Sequence, residues 1–393
     1  MVDWPIFMRR KMVEALASSA QQFGSTVIAV NRPLCPFSTP IRKRDRMKEL
    51  FGQPKLEKLT DNLYLFSPKY FIHDSVASNW SLLESLNIRW LRGSYRSLCK
   101  RIGINESSPI VWYYDPQQAY VTRLFDTSFN IYELYDNLAD LEGNELHPAV
   151  DQEKLQRENV DLLVTTSEKL HLKYSPGYKH SIQLGNGLDR ETFSRFSESA
   201  VQPHPDIVKI DSPRIGYTGL ISQRLDWGLV ENIAERKPEW NFVFVGQVFD
   251  ETLKRRTSHL TNIHFTGAFQ HSDMPSILRA FDLGFMPYRD NDFFRYSNPL
   301  KFYEFAAAGL RSVSSNMEEL RIHPETLVKV VPNDADAWIS AIGSYLAEDP
   351  TKAGSIGRET ASQYIWEDMT ARLLDNIKGL VDSKSPESDP RVL

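Results

Sequence analysis

The chain has 393 residues, a formal net charge of −5 and 41% hydrophobic residues, enough for about two domains of roughly 150–200 residues each. Glycine and proline are not in excess and the only cysteines are Cys35 and Cys99, which excludes collagen-like, low-complexity, disulfide-stapled and cysteine-metal classes. No apolar run approaches the ~20 residues of a membrane helix, and Arg9-Arg10-Lys11 follow Met1 with no apolar signal core between them, so a cytoplasmic location is expected.

The periodicity predicts a helix over 6–22, with Phe7, Met12, Ala15 and Leu16 roughly on one face and Gly24 as its stop. Strands follow at 26–31 and 62–68, a long helix rich in arginine and aromatics at 79–101, and strands at 109–114 and 130–136. A helix at 151–159, a strand at 160–167 and a strand-turn at 180–187 complete the first series. The polar stretch 197–213, with Pro203, Pro205 and Pro213, is the candidate linker. A second series alternates strands at 214–219, 241–246, 262–267, 283–288 and 311–315 with helices at 226–236, 272–280 and 299–308, followed by helices at 334–348 and 357–380. Such alternation indicates α/β architecture: two Rossmann-like domains whose parallel sheets are covered on both faces. Ligands on such sheets bind beyond the carboxyl ends of the strands, so the natural site is a cleft between the two. A doubly wound domain normally opens on a strand, whereas a helix comes first here.

The most informative stretch is 288–309, YRDNDFFRYSNPLKFYEFAAAG. A strand ends at Tyr288, a polar loop follows, and Asn298-Pro299 opens a helix as N-cap and first helical residue. Free backbone N–H groups there favour a phosphate. Lys301 adds a point charge, and Glu304, one turn on, can accept two hydrogen bonds from a ribose diol. The same residues would equally make an ordinary capped helix with an i,i+3 surface ion pair between Lys301 and Glu304.

This segment resembles the nucleotide-binding helix of GT-B glycosyltransferases, and is particularly similar to bacterial members that build teichuronic acids and other surface polysaccharides. Pro287, Tyr288, Arg289, Asn291, Asn298, Pro299, Leu300, Lys301, Tyr303, Glu304, Phe305, Ala307, Ala308 and Gly309 match the family's pattern. Segments 131–141, 163–174, 184–189 and 215–246 resemble further family segments in the same order, so the likeness covers most of 110–375. It implies that Glu304 binds the donor ribose, that Lys301, Asn298 and Arg224 hold the diphosphate, that Gly219 lets the phosphate approach the backbone, and that Phe269 lies along the nucleobase. Retaining members often carry a second glutamate eight residues before the ribose glutamate, where this chain has Tyr296.

An inverting reaction needs a base near the acceptor hydroxyl. Asp136, which matches the family's first aspartate, is the first candidate and Asp115, at the neighbouring strand end, the second; either can instead be a turn or capping residue. A retaining reaction would need no such base and could rest on electrostatic stabilisation of the leaving diphosphate by Lys301 and Arg224. Asp290-Asn291-Asp292 spells a D-x-D, which at this position is expected to make a turn, and no metal or cofactor is expected beyond the nucleotide diphosphate sugar as co-substrate.

Residues 1–101 carry 17 Lys/Arg against 8 Asp/Glu. The dense run 42–48 (RKRDRMK) and the helical spacing of Arg89, Arg92, Arg96 and Lys100, with Trp90, Leu91, Tyr95 and Leu98 for another side, fit an anionic membrane surface or acceptor pyrophosphate as partner; a charged outer face on an ordinary packed helix fits as well. No nucleic-acid partner is expected. The reading is therefore an N-terminal acceptor domain (1–205), a C-terminal donor domain (206–360) and a tail (361–393) whose helix returns to the first domain. The expected activity is transfer of a sugar from a nucleotide diphosphate sugar to a polysaccharide, lipid-linked or small-molecule acceptor. A nucleotide-sugar epimerase of the same fold and a non-catalytic GT-B partner protein are the alternatives.

Overall fold

The computed structural model describes residues 9–31, 54–69, 72, 80–104, 109–125, 128–140, 142–198 and 200–384; Cys35 and the basic run 42–48 lie outside them. The chain divides into two compact units: Met1–Leu138, Glu145–Leu184 and Trp366–Leu393 in the first, Ala139–Asn144 and Gly185–Ile365 in the second.

The first unit opens with α1 (Arg10–Gln21), which forms because Met12, Val13, Leu16, Ala17 and Ala20 recur on one buried face. Strands β1 (Val27–Val30), β2 (Lys55–Lys58) and β3 (Leu63–Ser67) make a small sheet in the order β1-β3-β2, with β2 antiparallel to β3. The long helix α2 (Ser81–Ile102) ends at Gly103, whose φ of 73° is the left-handed cap that glycine adopts at little cost. Strands β4 (Ile110–Tyr113), β5 (Phe129–Leu134), β6 (Leu162–Thr165) and β7 (Ser181–Gln183) form a parallel sheet in sequence order, with helices α3 (His147–Gln156) and α4 (Glu168–Tyr174) along the way. Every residue of β5 is buried, as a central parallel strand covered on both faces requires. That burial includes Glu133, whose carboxylate meets Arg9 Nε at 2.6 Å and accepts from Trp112 Nε1 at 2.8 Å; loss of solvent pushes its pKa up, against the pull of Arg9.

The second unit runs α5 (Arg190–Ser197), β8 (Arg214–Thr218), α6 (Trp227–Arg236), β9 (Asn241–Val245), α7 (Thr252–Arg256), β10 (Ile263–Gly267), α8 (Met274–Arg279), β11 (Leu283–Met286), α9 (Asp292–Arg295), α10 (Leu300–Ala307), β12 (Ser312–Ser314), β13 (Val328–Val330), α11 (Ala335–Ala347) and α12 (Thr351–Ser362). Its six strands are all parallel in the order β10-β9-β8-β11-β12-β13. The order reverses between β8 and β11, and that switch point is where doubly wound sheets open a crevice for ligands. Phe242, Phe244, Phe285, Phe305 and Trp338 fill its core. The last helix, α13 (Trp366–Lys384), belongs to the first unit and packs on α1, where the Ser19 and Thr370 hydroxyls are 3.3 Å apart.

Three expectations need correction. The division between units falls at Leu184/Gly185 rather than 205/206, because α5 packs on α8, α10 and α12 of the second unit. The single helix expected over 357–380 is two, α12 and α13, interrupted where Ile365 bridges Leu188 and Leu188 N–H bonds Tyr364 O at 2.8 Å. Strands β2 and β13 were not anticipated: β2 (KLEK) is short and largely exposed, and β13 (VKV) is three residues long with a lysine at its centre.

Candidate functional site

Three neighbouring strands of the second unit end in glycine: Gly219 after β8, Gly246 after β9 and Gly267 closing β10, all with positive φ (128°, 149° and 81°). The first two are forced by proximity. Gly219 N–H bonds Val245 O at 2.8 Å, and a Cβ on Gly246 would lie 1.8 Å from Gly219 O. The backbone at the strand ends is therefore bare, as close approach of a phosphate requires.

Lys301 stands against this glycine crossing. It occupies the first turn of α10, and its Nζ would be 2.7 Å from a Cβ placed on Gly219. The ammonium lies 5.3 Å over the ring of Tyr217, a cation–π contact that holds it without neutralising it. Tyr217 is itself buried, donates its hydroxyl to Leu220 O at 3.1 Å, and has its pKa pushed well up by burial and by Tyr288, with Arg224 pulling the other way. Arg224 lies on the same loop as Gly219, between β8 and α6. Its backbone is fixed by Ser222 Oγ (3.3 Å) and by Arg289 N–H (3.1 Å), and the next residue, Leu225, bridges Tyr288 at the end of β11. Among the described residues, neither Lys301 nor Arg224 is ion-paired with a carboxylate, and the Lys301–Glu304 surface pair is not formed. One cation, Lys301, thus stands beside a bare backbone turn at the sheet's switch point, together with the first-turn N–H groups of α10 and with Arg224 on the loop that follows β8. That arrangement suits a diphosphate.

Glu304 lies one turn beyond Lys301 and is half-buried. Asn298 departs from expectation. The N-cap of α10 is Pro299, no side chain caps the helix, and Asn298 turns inward. Its Nδ2 is 3.4 Å from Glu319 Oε1, and its carbonyl accepts from Asn186 Nδ2 at 2.6 Å. The inward turn of a buried polar residue toward Glu319 takes it away from the capping position. Phe269 sits beyond β10, two strands from Gly219, edge-on to His204 at 4.7 Å. The structure thus brings Gly219 and Lys301 together, with Arg224 five residues along the Gly219 loop, Glu304 one turn beyond Lys301 and Phe269 further along the strand ends.

Asp290-Asn291-Asp292 makes the expected turn: Asn291 caps α9 through Phe294 N–H (3.3 Å), and both aspartates face Arg295, at 2.7 and 3.6 Å. Among the described residues no three His, Cys, Asp or Glu side chains gather as metal ligands. A polar cavity of about 530 Å3, lined by Glu142, Gln223, Asp226, Arg256, Arg289 and Asn291 among others, opens beside the same two loops, but neither Lys301 nor Glu304 lines it. In the first unit, Asp115 accepts from Gln117 N–H at 2.9 Å and caps the 3-10 helix Pro116–Leu124. Asp136 is half-buried two residues past β5. Because β4 and β5 are adjacent and parallel, both aspartates stand at the same end of that sheet. Arg92 donates to the carbonyls of Leu124 and Arg123 (2.7 and 2.9 Å), and Leu91 and Leu98 are core residues, which removes these three from any outward face of α2.

Gly246, Tyr217, Asn186 and Glu319 were not singled out as site residues in the sequence. The signal for Gly246 was present, since YTG, FVG and FTG repeat a strand ending in glycine; the others act through tertiary packing that no local pattern carries.

Residues 212–348 match the family model Glycosyl transferases group 1. A Bacillus subtilis (strain 168) protein, TuaH, named as a teichuronic acid biosynthesis glycosyltransferase, is 29% identical over 175 residues, which are 41% of this chain and 41% of that protein. Among solved structures, sucrose-phosphate synthase from Thermosynechococcus elongatus superposes with a TM-score of 0.68 at 18% identity, over 95% of this chain and 92% of that one. An E. coli trehalose-6-phosphate structure bound with UDP-2-fluoro glucose superposes with 0.69 at 12% identity, over 95% and 96%. The chain thus has the GT-B fold, two α/β units with Rossmann-like sheets, and its residues 212–348 are similar to the Glycosyl transferases group 1 family.

Proposed function

We propose that the chain is a glycosyltransferase that moves a hexosyl group from a nucleotide diphosphate sugar to a hydroxyl of a polysaccharide, lipid-linked or small-molecule acceptor. The observation that carries the reading is Lys301, without a carboxylate partner among the described residues, standing on the glycine turn at the switch point, with Arg224 on the same loop. The two cations and the first turn of α10 would hold the diphosphate and stabilise it as it departs. Glu304 would take the ribose hydroxyls and Phe269 would lie along the base. If the reaction inverts, Asp136 would accept the proton of the attacking hydroxyl, with Asp115 second. No metal or other cofactor enters this scheme. The glycosyltransferase name of the Bacillus subtilis relative supports this reading over an epimerase. UDP is the first nucleotide to try, because a structural neighbour was solved with a UDP sugar.

The test is calorimetric titration with UDP, GDP, TDP and CMP on the native chain and on Glu304→Ala. Selective binding of one diphosphate, weakened at least tenfold in the variant, supports the reading. Equal weak binding of all four, unchanged in the variant, overturns it. The excess of positive charge in residues 1–101 further supports an anionic membrane surface as a second partner, which would place the chain at the inner face of the membrane as a peripheral protein. No helix among the described residues is long and apolar enough to cross a membrane.

A further inference from the structure

Helix α2 presents an unusual outer face. Its inward side is fixed by the buried Asn87, Leu91, Leu98 and Cys99. At about 100° per residue, the opposite side carries Leu82, Leu86 and Trp90 at spacing i, i+4, i+8, then Arg89, Arg96 and Lys100 at i, i+7, i+11. The apolar members are unusually bare: Leu82 is 73% exposed, Leu86 52% and Trp90 46%, and Trp80, immediately before the helix, is 66% exposed. Scattered exposed leucines need no explanation, but four large apolar side chains within eleven residues form a patch. The helix's one acidic residue, Glu84, points elsewhere and pairs with Arg123 at 2.5 Å. The outward face thus has an apolar half toward the N-terminus, a basic half toward the C-terminus and no acidic residue of the helix itself.

We propose that this face of α2 is an interfacial docking surface for an anionic phospholipid bilayer, with Trp80, Leu82, Leu86 and Trp90 inserted at the headgroup level and Arg89, Arg96 and Lys100 set among the lipid phosphates. A helix of 22 residues is about 33 Å long, so both halves lie on one plane. Charge selects the lipid. A protein partner with an apolar groove would satisfy the leucines but not the exposed cations Arg89 and Lys100, whereas a negatively charged bilayer satisfies both halves at once. The proposal rests on the membrane reading above and deepens it by naming the contact. Insertion of the leucines should count for about tenfold in partitioning each and each cation for about fivefold.

The experiment is co-sedimentation of the full chain with vesicles of phosphatidylcholine alone and of phosphatidylcholine with one quarter phosphatidylglycerol, at low and raised salt. The variants are Leu82→Ser/Leu86→Ser and Arg89→Gln/Lys100→Gln. Thermal unfolding and UDP titration on the same samples show that the fold and the donor site are intact. The expected result is binding to the anionic vesicles only, weakened more than tenfold in both variants. Native-strength binding by the leucine pair would overturn the α2 surface while leaving a membrane partner reached through other cations. No binding to anionic vesicles at low salt would overturn the membrane reading itself, whatever UDP does. A concentration-dependent dimer that the leucine pair abolishes would assign the face to a second copy and refute the bilayer.

Discussion

Replacing Lys301 by methionine isolates its charge. The side chain keeps its length and its contact with the Tyr217 ring, and only the ammonium is lost. Within the free protein that ammonium has one identified partner, the ring at 5.3 Å, worth about 0.5–1 kcal/mol at a half-buried site. Thermal unfolding should therefore fall by no more than roughly 2–4 °C for a unit of this size. Toward a bound diphosphate the loss is larger, because a charge-assisted hydrogen bond contributes about 1.5–3 kcal/mol. UDP affinity should drop by about 10- to 150-fold. Uridine, which lacks the phosphates, should bind the variant as it binds the native chain. Calorimetry with both ligands decides the matter. Equal losses for uridine and UDP would mean that the lysine acts through the fold, and an unchanged UDP affinity would remove the diphosphate from this turn altogether.

Gly246→Ala would drive a methyl to 1.8 Å from Gly219 O at a φ of 149°; a loss of at least about 3 kcal/mol is expected, seen as a lower urea midpoint. Burial holds the His323 pKa down at about 4 against an ordinary 6.5. The neutral ring is preferred in the folded state, so its stabilisation is complete above pH 6.5 and is lost as pH falls toward 4. Between pH 7.5 and 5 the native chain should lose about 2 kcal/mol more than His323→Phe, which keeps the stack on Phe302; parallel urea curves at the two pH values would refute this. Asp115→Ala should cost about 1 kcal/mol of stability through the lost cap with little effect on transfer. Asp136→Asn should cut the turnover of an inverting reaction by 100-fold or more with donor affinity unchanged, and full turnover in that variant would exclude Asp136 as base.

Much of the second unit was legible because its strands are short, apolar and punctuated by glycine. RIGYT, NFVFV and LGFM declare themselves as buried parallel strands, and the loop-to-helix passage from Tyr288 to Glu304 declares a ligand end. What was hidden is tertiary. Nothing local says that Asn298 turns inward to Glu319 instead of capping its helix, because an asparagine before a proline fits both roles. Nor does the sequence of α2 say which apolar residues face in. Leu91 and Leu98 are buried while Leu82 and Leu86 are not, a choice made by the 3-10 helix Pro116–Leu124 on which α2 packs and by Arg92 reaching the carbonyls at 123 and 124.

The packing of α1 on α13 has a consequence for synthesis. The Ser19–Thr370 pair joins residues 351 positions apart, so a ribosome must pass residue 370 before the apolar face of α1 can be covered. The second unit, by contrast, is nearly continuous in sequence from Gly185 to Ile365 and can close while the last helix is still in the exit tunnel. A nascent chain arrested after Ile365 should therefore resist protease across the second unit while Met12 and Leu16 stay open to chaperone capture. The first unit, though begun first, is completed last.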